Sequence, residues 1–166
     1  MRNTKYKNGF SLIEVLIAIL LVGLAMAALM ASNTAFTKAN GAGTDLSTAE
    51  FLVEQIRELT ALLPVVDPQS DVWAFGPEAG ETLAIYDDLD DFNGFNSTAL
   101  GAPIDADRNP LNDLAAYSQQ VTVENVNASN FEQVVADTTS SFVRVTVSVY
   151  LNSKQITSVS WLRAWY

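Results

Sequence analysis

The side chains that could do chemistry in this sequence are almost all carboxylates. Its 166 residues include 19 Asp and Glu against nine Lys and Arg, which gives a formal net charge of −10. There is no Cys and no His, so thiolate and imidazole nucleophiles are excluded, as are zinc sites built on those ligands. A phosphate backbone would be repelled by this charge, which argues against nucleic acid as a partner.

Two acidic loops gather many of these carboxylates. Residues 86–95 read YDDLDDFNGF, and residues 105–111 read DADRNPL. Calcium takes oxygen ligands from loops of this composition. Neither loop fits an EF-hand, because the required sixth-position glycine would put Leu89 first in one loop, and the sixth position is Pro110 in the other. The better set of predicted calcium ligands is Asp105, Asp107, Asn109 and Asp113.

Two other interpretations of the acidic loops remain open. The favoured one is solvated turns in which Asp and Asn side chains hold the local backbone. Paired carboxylates also serve glycosidases, and a cleft with two facing carboxylates would support such an enzyme. Four clustered acids without an evident substrate cleft weigh against it, so the sequence predicts no catalytic residues and no enzyme.

One further carboxylate lies in a different setting. Glu14 interrupts an apolar run over residues 10–31, and residues 15–37 carry no charge. As a helix of about 35 Å, this uncharged segment is long enough to cross a bilayer. A carboxylate in such a span costs roughly 3 kcal/mol, so Glu14 needs a partner or a function.

The charges on either side orient the apolar run. All 19 acidic residues and six of the nine basic ones follow residue 9, and the first nine residues hold the other three basic side chains. The positive-inside rule therefore places residues 1–9 in the cytoplasm and the acidic body outside. Two simple interpretations are a signal peptide cleaved near residues 25–27 (AMA) and an uncleaved single-span anchor. The three basic residues are Arg2, Lys5 and Lys7.

Residues 9–15, GFSLIEV, resemble the class III signal of type IV pilins and type II secretion pseudopilins. That signal has a short basic leader ending in Gly, then an aromatic residue, and Glu at the fifth mature position, which here are Gly9, Phe10 and Glu14. The resemblance implies cleavage after Gly9 and N-methylation of Phe10 by a prepilin peptidase/N-methyltransferase. It also implies that Glu14 pairs with the N-terminal amine of a neighbouring subunit. The family's frequent Pro at the twenty-second mature position is Ala31 here, which leaves a helix kink open.

The acidic run over residues 86–95 also resembles a subgroup of minor pilins associated with MSHA-type pilus biogenesis. The resemblance lies in a Tyr-Asp-Asp-x-Asp-Asp-aromatic-Asn-Gly run followed by an Asp-x-Asp loop, and it implies a minor subunit. After residue 9 the chain has six basic and 19 acidic residues, a net charge of −13. Copies of such a body would repel one another, so it needs partners of complementary charge, bound cations or a low copy number, which also favours a minor subunit.

The middle of the sequence predicts a second helical segment. Gly41 and Gly43 predict a hinge or break, because each costs about 1 kcal/mol in a helix relative to Ala. Residues 47–50 (STAE) match a capping box and predict a new helix start. An apolar stripe at helical spacing then continues to Pro64 and predicts packing against a sheet. The stripe comprises Ala49, Leu52, Ile56, Leu59 and Leu63.

The end of the sequence predicts β-structure. Within residues 142–151, every second side chain from Val143 to Leu151 is Val or Leu. Residues 155–163 return after a turn at 152–154, as in an antiparallel hairpin with one buried face. Residues 120–126 predict a further strand, and residues 83–86 a short one. Core or edge packing is the expected role of three late aromatic residues, Trp161, Trp165 and Tyr166.

These patterns predict an α+β fold in which one long N-terminal helix packs on a C-terminal antiparallel sheet, the lollipop shape of a pilin. The predicted regions are a leader (1–9), a transmembrane and filament-core helix (10–39) and a periplasmic domain (40–166). The resemblance implies a structural minor pilin or pseudopilin of a type IV pilus or type II secretion pseudopilus, held in the bacterial inner membrane before assembly.

The partners that this resemblance implies are other pilin or pseudopilin subunits, the prepilin peptidase and an inner-membrane assembly platform. No cofactor is implied, apart from calcium on the second acidic loop. The alternative function is a membrane-anchored or secreted periplasmic binding domain. That alternative would leave Glu14 without a function.

Overall fold

A computed structural model of the protein describes residues 9–67 and 75–165. The basic leader side chains of Arg2, Lys5 and Lys7, together with Pro68 and Tyr166, lie outside the described residues. The chain divides into two compact units, Met1–Gly43 and Thr44–Tyr166.

The first unit consists, in its described part, of the N-terminal portion of helix α1, which spans Leu12–Thr60. The helix continues without interruption through Gly41 and Gly43, so the predicted hinge is wrong. The predicted capping box at residues 47–50 is also not a helix start, because those residues lie inside the same helix. Two glycines cost about 2 kcal/mol together, whereas a break would need a second, unfavourable helix nucleation.

In the second unit, the last turns of α1 carry the predicted apolar stripe. Ala49, Leu52 and Ile56 are buried, together with Val53, and Leu59 and Leu63 pack partly buried against the same core. The helix ends at Thr60, four residues before Pro64. The Arg163 guanidinium then donates hydrogen bonds to the carbonyl oxygens of Thr60 and Leu63 at 2.9 and 2.8 Å, which satisfies acceptors that a helix end leaves unpaired.

A four-stranded antiparallel sheet supplies the other side of this core. Its strands are β1 (Tyr117–Asn127), β2 (Asn130–Val134), β3 (Phe142–Leu151) and β4 (Lys154–Ala164), in the order β2-β1-β3-β4. The sequence did not indicate β2, which is a short edge strand with every residue exposed and therefore lacks the alternation that marks a half-buried strand.

The predicted hairpin is confirmed, and the structure gives its register. Val147 faces Val159 and Val145 faces Trp161 across β3 and β4, and the four valines of β3 at alternate positions are fully buried. The turn between the strands has φ of 48° and 66° at Asn152 and Ser153, the left-handed conformations that match the twist of a tight hairpin.

Two of the three late aromatic side chains lie within the described residues, and both pack as expected. Trp161 and Trp165 are partly buried against the core. The Arg57 guanidinium carbon lies 4.8 Å from the Trp161 ring centroid, a cation–π distance, and Phe75 meets Trp165 edge-on with 6.3 Å between ring centroids. With the buried helix stripe on the antiparallel sheet, these contacts confirm the predicted α+β class.

The described part of the connection between α1 and β1 contains short 3₁₀ helices at Asp90–Phe92, Ser97–Leu100 and Asn112–Leu114. The strand predicted at residues 83–86 is wrong, because Leu83, Ala84 and Ile85 form a turn. Arg108 explains this locally, since its guanidinium takes the carbonyl oxygens of Ala84 and Tyr86 as acceptors and leaves them unavailable to a strand partner.

Candidate functional site

The first candidate site lies at the beginning of α1. Gly9 and Phe10 are exposed, with 82% of Phe10 accessible. The backbone N–H of Glu14 donates to Ser11 Oγ at 3.3 Å, and the N–H of Ser11 donates to Glu14 Oε2 at 3.4 Å. This reciprocal pair is a capping box, so the side chain of Glu14 caps its own helix in the single subunit.

The N-terminal part of α1 exposes its apolar side chains on every side. It is long and apolar enough to cross a membrane, and none of its most apolar stretch is buried within the protein. A continuous apolar surface of this size marks contact with lipid or with other chains. Its large exposed members include Leu12, Ile13, Leu16, Ile19, Leu20, Leu24, Leu29, Met30 and Phe36.

The second candidate site is a buried group of carboxylates in the first acidic loop. Asp88 is 0% exposed, Asp91 is 1% exposed, and Asp90 is also buried. The backbone N–H of Asp91 donates to Asp88 Oδ1 at 3.1 Å. The N–H groups of Asp87 and Asp88 donate to Asp91 Oδ2 at 2.9 and 3.3 Å. One oxygen of Asp88 and one oxygen of Asp91 are therefore satisfied by the loop's own backbone.

The other oxygen of each carboxylate is not satisfied in this way. While the carboxyls are ionised, Asp88 Oδ2 and Asp91 Oδ1 are buried and have no hydrogen-bond donor. One carboxylate oxygen each from Asp87, Asp88 and Asp91 lies within 4.8 Å of the others, and a second such trio joins Asp91 to Glu78 and Glu81. Across residues 9–67 and 75–165, no ion pair within 4.0 Å includes any of these five acids.

This crowding raises the pKa values of Asp90 and Asp91. Burial, with a hydrogen bond to Asp88 and the charges of Asp88 and Asp91, raises the pKa of Asp90 to about 9. Burial, with a hydrogen bond to Glu81, raises the pKa of Asp91 to about 7. That same hydrogen bond is the main reason why the pKa of Glu81 is lowered. Protons shared between carboxyls are thus one way to relieve the repulsion here.

The fold buries these acids because their apolar neighbours belong to the core. Leu89 and Phe92 are fully buried, and the N–H groups of Leu89 and Asp90 donate to the carbonyl oxygens of Pro64 and Val65 at 2.9 and 3.2 Å. Beyond them, the chain pairs with β1, since Gly94 N donates to Val121 O at 3.1 Å. The two apolar anchors therefore pull the intervening aspartates in with them.

The second acidic loop has the opposite environment. Asp105 Oδ1 accepts the backbone N–H groups of Asp107 and Asn109 at 2.9 and 2.7 Å, and Oδ2 accepts Asn109 Nδ2 at 3.2 Å. The N–H of Asn109, chiefly, holds the pKa of Asp105 below its ordinary value. Asp107, Asn109 and Asp113 are exposed. Calcium on this set stays a prediction, and within the described chain Asp105 belongs to none of the close carboxylate trios.

The expectation of solvated turns is therefore right for one loop and wrong for the other. Asp105 holds its own backbone, as expected, whereas Asp88, Asp90 and Asp91 are buried. The sequence did contain a signal for this. Leu89 and Phe92 are three residues apart inside the acidic run, a spacing that puts both side chains on one side of a helical turn, and large apolar residues are usually buried.

A comparison with known protein families identifies the first site. Residues 4–30 match the family model of the prokaryotic N-terminal methylation motif, which includes Gly9, Phe10, Glu14 and most of the exposed apolar helix. No curated protein and no solved structure matches the chain. The N-terminus of this chain is therefore a type IV pilin-like prepilin signal, carrying the prokaryotic N-terminal methylation motif.

Proposed function

We propose that the protein is a structural minor pilin or pseudopilin, assembled into a type IV pilus or a type II secretion pseudopilus after cleavage behind Gly9 and N-methylation of Phe10. The observation that carries the proposal is the methylation motif at residues 4–30, in register with the most apolar stretch of α1, none of which is buried within the protein. A helix of this kind needs lipid before assembly and other helices afterwards.

Glu14 is the residue on which assembly depends in this proposal. Its carboxylate caps its own helix in the single subunit, and in the filament it neutralises the N-terminal amine of a neighbouring subunit. Two charges that are each costly in an apolar interior then compensate one another. The capping bonds of 3.3 and 3.4 Å are long, so exchanging them for an ion pair costs little.

The charge distribution supports the proposed orientation and role. A basic leader precedes the apolar helix and an acidic body follows it, so the body lies in the periplasm and the leader in the cytoplasm. The acidic body also favours a minor subunit, since adjacent copies would repel one another. Its partners are other pilin subunits, the prepilin peptidase and the inner-membrane assembly platform, and it catalyses no reaction.

The mass of the N-terminal peptide from the native membrane fraction tests the processing step. A peptide that begins at N-methylated Phe10 supports the proposal. A peptide that begins at Met1, or near Ala28, would make the protein an anchored or secreted domain and would overturn it.

A substitution at Glu14 tests the assembly step. Glu14→Gln can still cap the helix but cannot neutralise an amine, so we expect its incorporation into sheared filaments to fall by tenfold or more, because stranding one partner of a buried ion pair costs about 3–5 kcal/mol. Unfolding of the unit over residues 44–166 should not change. The matched control is Glu50→Gln, at an exposed position of the same helix, and wild-type incorporation of Glu14→Gln would contradict the role.

A further inference from the structure

We propose that the first acidic loop binds a calcium ion through Asp87, Asp88 and Asp91, with Glu78 and Glu81 completing the site. This site serves the stability of the domain, and it does not depend on the proposed role in a filament. The set of ligands is also different from the Asp105 loop that the sequence favoured.

The arrangement of the carboxylates is the first argument. Asp87, Asp88 and Asp91 each bring one oxygen within 4.8 Å of the other two, and Asp91 belongs equally to a trio with Glu78 and Glu81. Oxygen ligands that each lie 2.3–2.6 Å from one ion can be this far from one another when they are on opposite sides of it. Asp91 is common to both trios, so an ion bound by Asp91 would have acids of the loop and of the segment before it nearby.

The buried loop also leaves two carboxylate oxygens without a donor. Asp88 and Asp91 are 0% and 1% exposed. While the carboxyls are ionised, Asp88 Oδ2 and Asp91 Oδ1 have no hydrogen-bond donor. The loop's backbone N–H groups bond to the opposite oxygens, Asp88 Oδ1 and Asp91 Oδ2. Local turn geometry therefore uses one oxygen of each pair and leaves the other free. A buried acceptor left unpaired is costly, and a cation removes that cost for both.

The chemistry of the donors selects the ion. All five ligands are carboxylates, which suit hard cations, and the sequence has no Cys or His to favour zinc or copper. Calcium accepts six to eight oxygens in irregular geometry, whereas magnesium requires a near-octahedral shell and keeps several waters. A crowded, anionic and irregular loop fits calcium better.

An ion at this position would also connect two parts of the domain. Glu78 and Glu81 lie in the segment that follows residue 75. Asp88 directly precedes Leu89 and Asp91 directly precedes Phe92, and both of these apolar residues are in the core. Binding would fasten the outer segment to the core-forming one. It would also compensate a group of acids that has no cationic side chain at ion-pair distance in the described parts of the chain.

Thermal unfolding of the full chain in detergent micelles, followed by near-UV circular dichroism, tests the site. After EDTA treatment, adding about 1 mM CaCl₂ should raise the wild-type Tm by roughly 5 °C or more, and the same concentration of MgCl₂ should raise it much less. An unchanged wild-type Tm in CaCl₂ would overturn the proposal, and an equal rise in MgCl₂ would overturn the assignment to calcium.

Isosteric variants locate the ion. Asp88→Asn and Asp91→Asn should lose the calcium-dependent rise, and Asp107→Asn and Asp113→Asn on the other acidic loop should keep it. In EDTA the first two should be at least as stable as wild type, because each amide removes a like charge and still accepts the backbone bond. If the rise survives Asp88→Asn and Asp91→Asn but is lost in the Asp107 and Asp113 variants, the ion binds the other loop.

The exposed ligand provides a variant whose folding is not at risk. Asp87 is exposed, and the loop uses its backbone N–H as a donor to Asp91 Oδ2. Asp87→Asn should therefore fold as wild type. Because one charged ligand is lost, its affinity for calcium, measured by calorimetric titration with CaCl₂, should fall about tenfold. Unchanged affinity in this variant would count against the proposed ligand set.

Discussion

The loops at residues 86–95 and 105–113 have similar composition and opposite environments. Both are rich in Asp and Asn, yet the first buries Asp88, Asp90 and Asp91 and leaves carboxylate oxygens unpaired. The second exposes Asp107 and Asp113 and surrounds Asp105 with N–H donors. An acidic segment is therefore not necessarily exposed to solvent, because the apolar residues within it decide whether it is buried.

The two loops are not independent of each other. Arg108, from the second loop, donates to the carbonyl oxygens of Ala84 and Tyr86 at the start of the first. Gln55 Oε1 on α1 accepts the N–H of Ala106 at 3.0 Å. The loop whose carboxylate is well satisfied thus supports the loop with unpaired oxygens, which makes the second loop a positioning element for the first.

The largest difference between the loops should appear in the pH dependence of stability without metal. The folded-state pKa of Asp90 is raised from 3.8 to about 9 and that of Asp91 from 3.8 to about 7. Between pH 4 and 9 the unfolded chain releases these protons first, so the native state binds more protons and the unfolding free energy falls as the pH rises. A pKa that differs by one between the folded and unfolded chain corresponds to about 1.4 kcal/mol of stability.

Urea unfolding in EDTA at about pH 5, 7 and 9 measures this effect. Asp90→Asn should flatten the profile, whereas Asp107→Asn should leave it unchanged. Equal profiles for wild type and Asp90→Asn would show that the buried acids of the first loop do not retain their protons.

The next largest effect should come from the anchor that buries the first loop. Phe92 is fully buried and meets Tyr86 and Phe95 edge-on, with ring centroids 5.3 and 6.0 Å away. We expect Phe92→Ala to lower the unfolding free energy by about 3–5 kcal/mol. Leu100→Ala, at a position 48% exposed, is the control and should change it by less than about 0.5 kcal/mol. A similar cost for both, measured in urea, would contradict the anchoring role.

The smallest effect should come from the hydrogen bonds of the second loop. Asp105→Ala removes the acceptor for two backbone N–H groups and for Asn109 Nδ2, and we expect a loss of about 1–2 kcal/mol. Asp107→Ala, an exposed neighbour that supplies only its backbone N–H, should cost less than about 0.5 kcal/mol. If the two variants unfold at the same urea concentration, the Asp105 side chain does not hold this loop.

Periodic patterns in the sequence led to correct predictions where burial follows a regular repeat. The alternation over residues 142–151 predicted β3, its partner and its buried face, and the stripe from Ala49 to Leu63 predicted the packed side of α1. The prediction of a break at Gly41 and Gly43 failed, because local propensity is weak against the continuation of an established helix. The edge strand β2 could not be predicted, since it buries nothing.

Features that depend on residue types in one local order can be predicted without the fold. These are the prepilin signal with Gly9, Phe10 and Glu14, the apolar helix and the hairpin, because each is recognised by spacing along the chain. The burial of one acidic loop and not the other is established by the packing of the folded domain, although Leu89 and Phe92 are its signal in the sequence. That outcome depends on Leu89 and Phe92 entering a core built by α1 and the sheet, and on which carboxylates then meet N–H donors, neither of which is encoded in the loop alone.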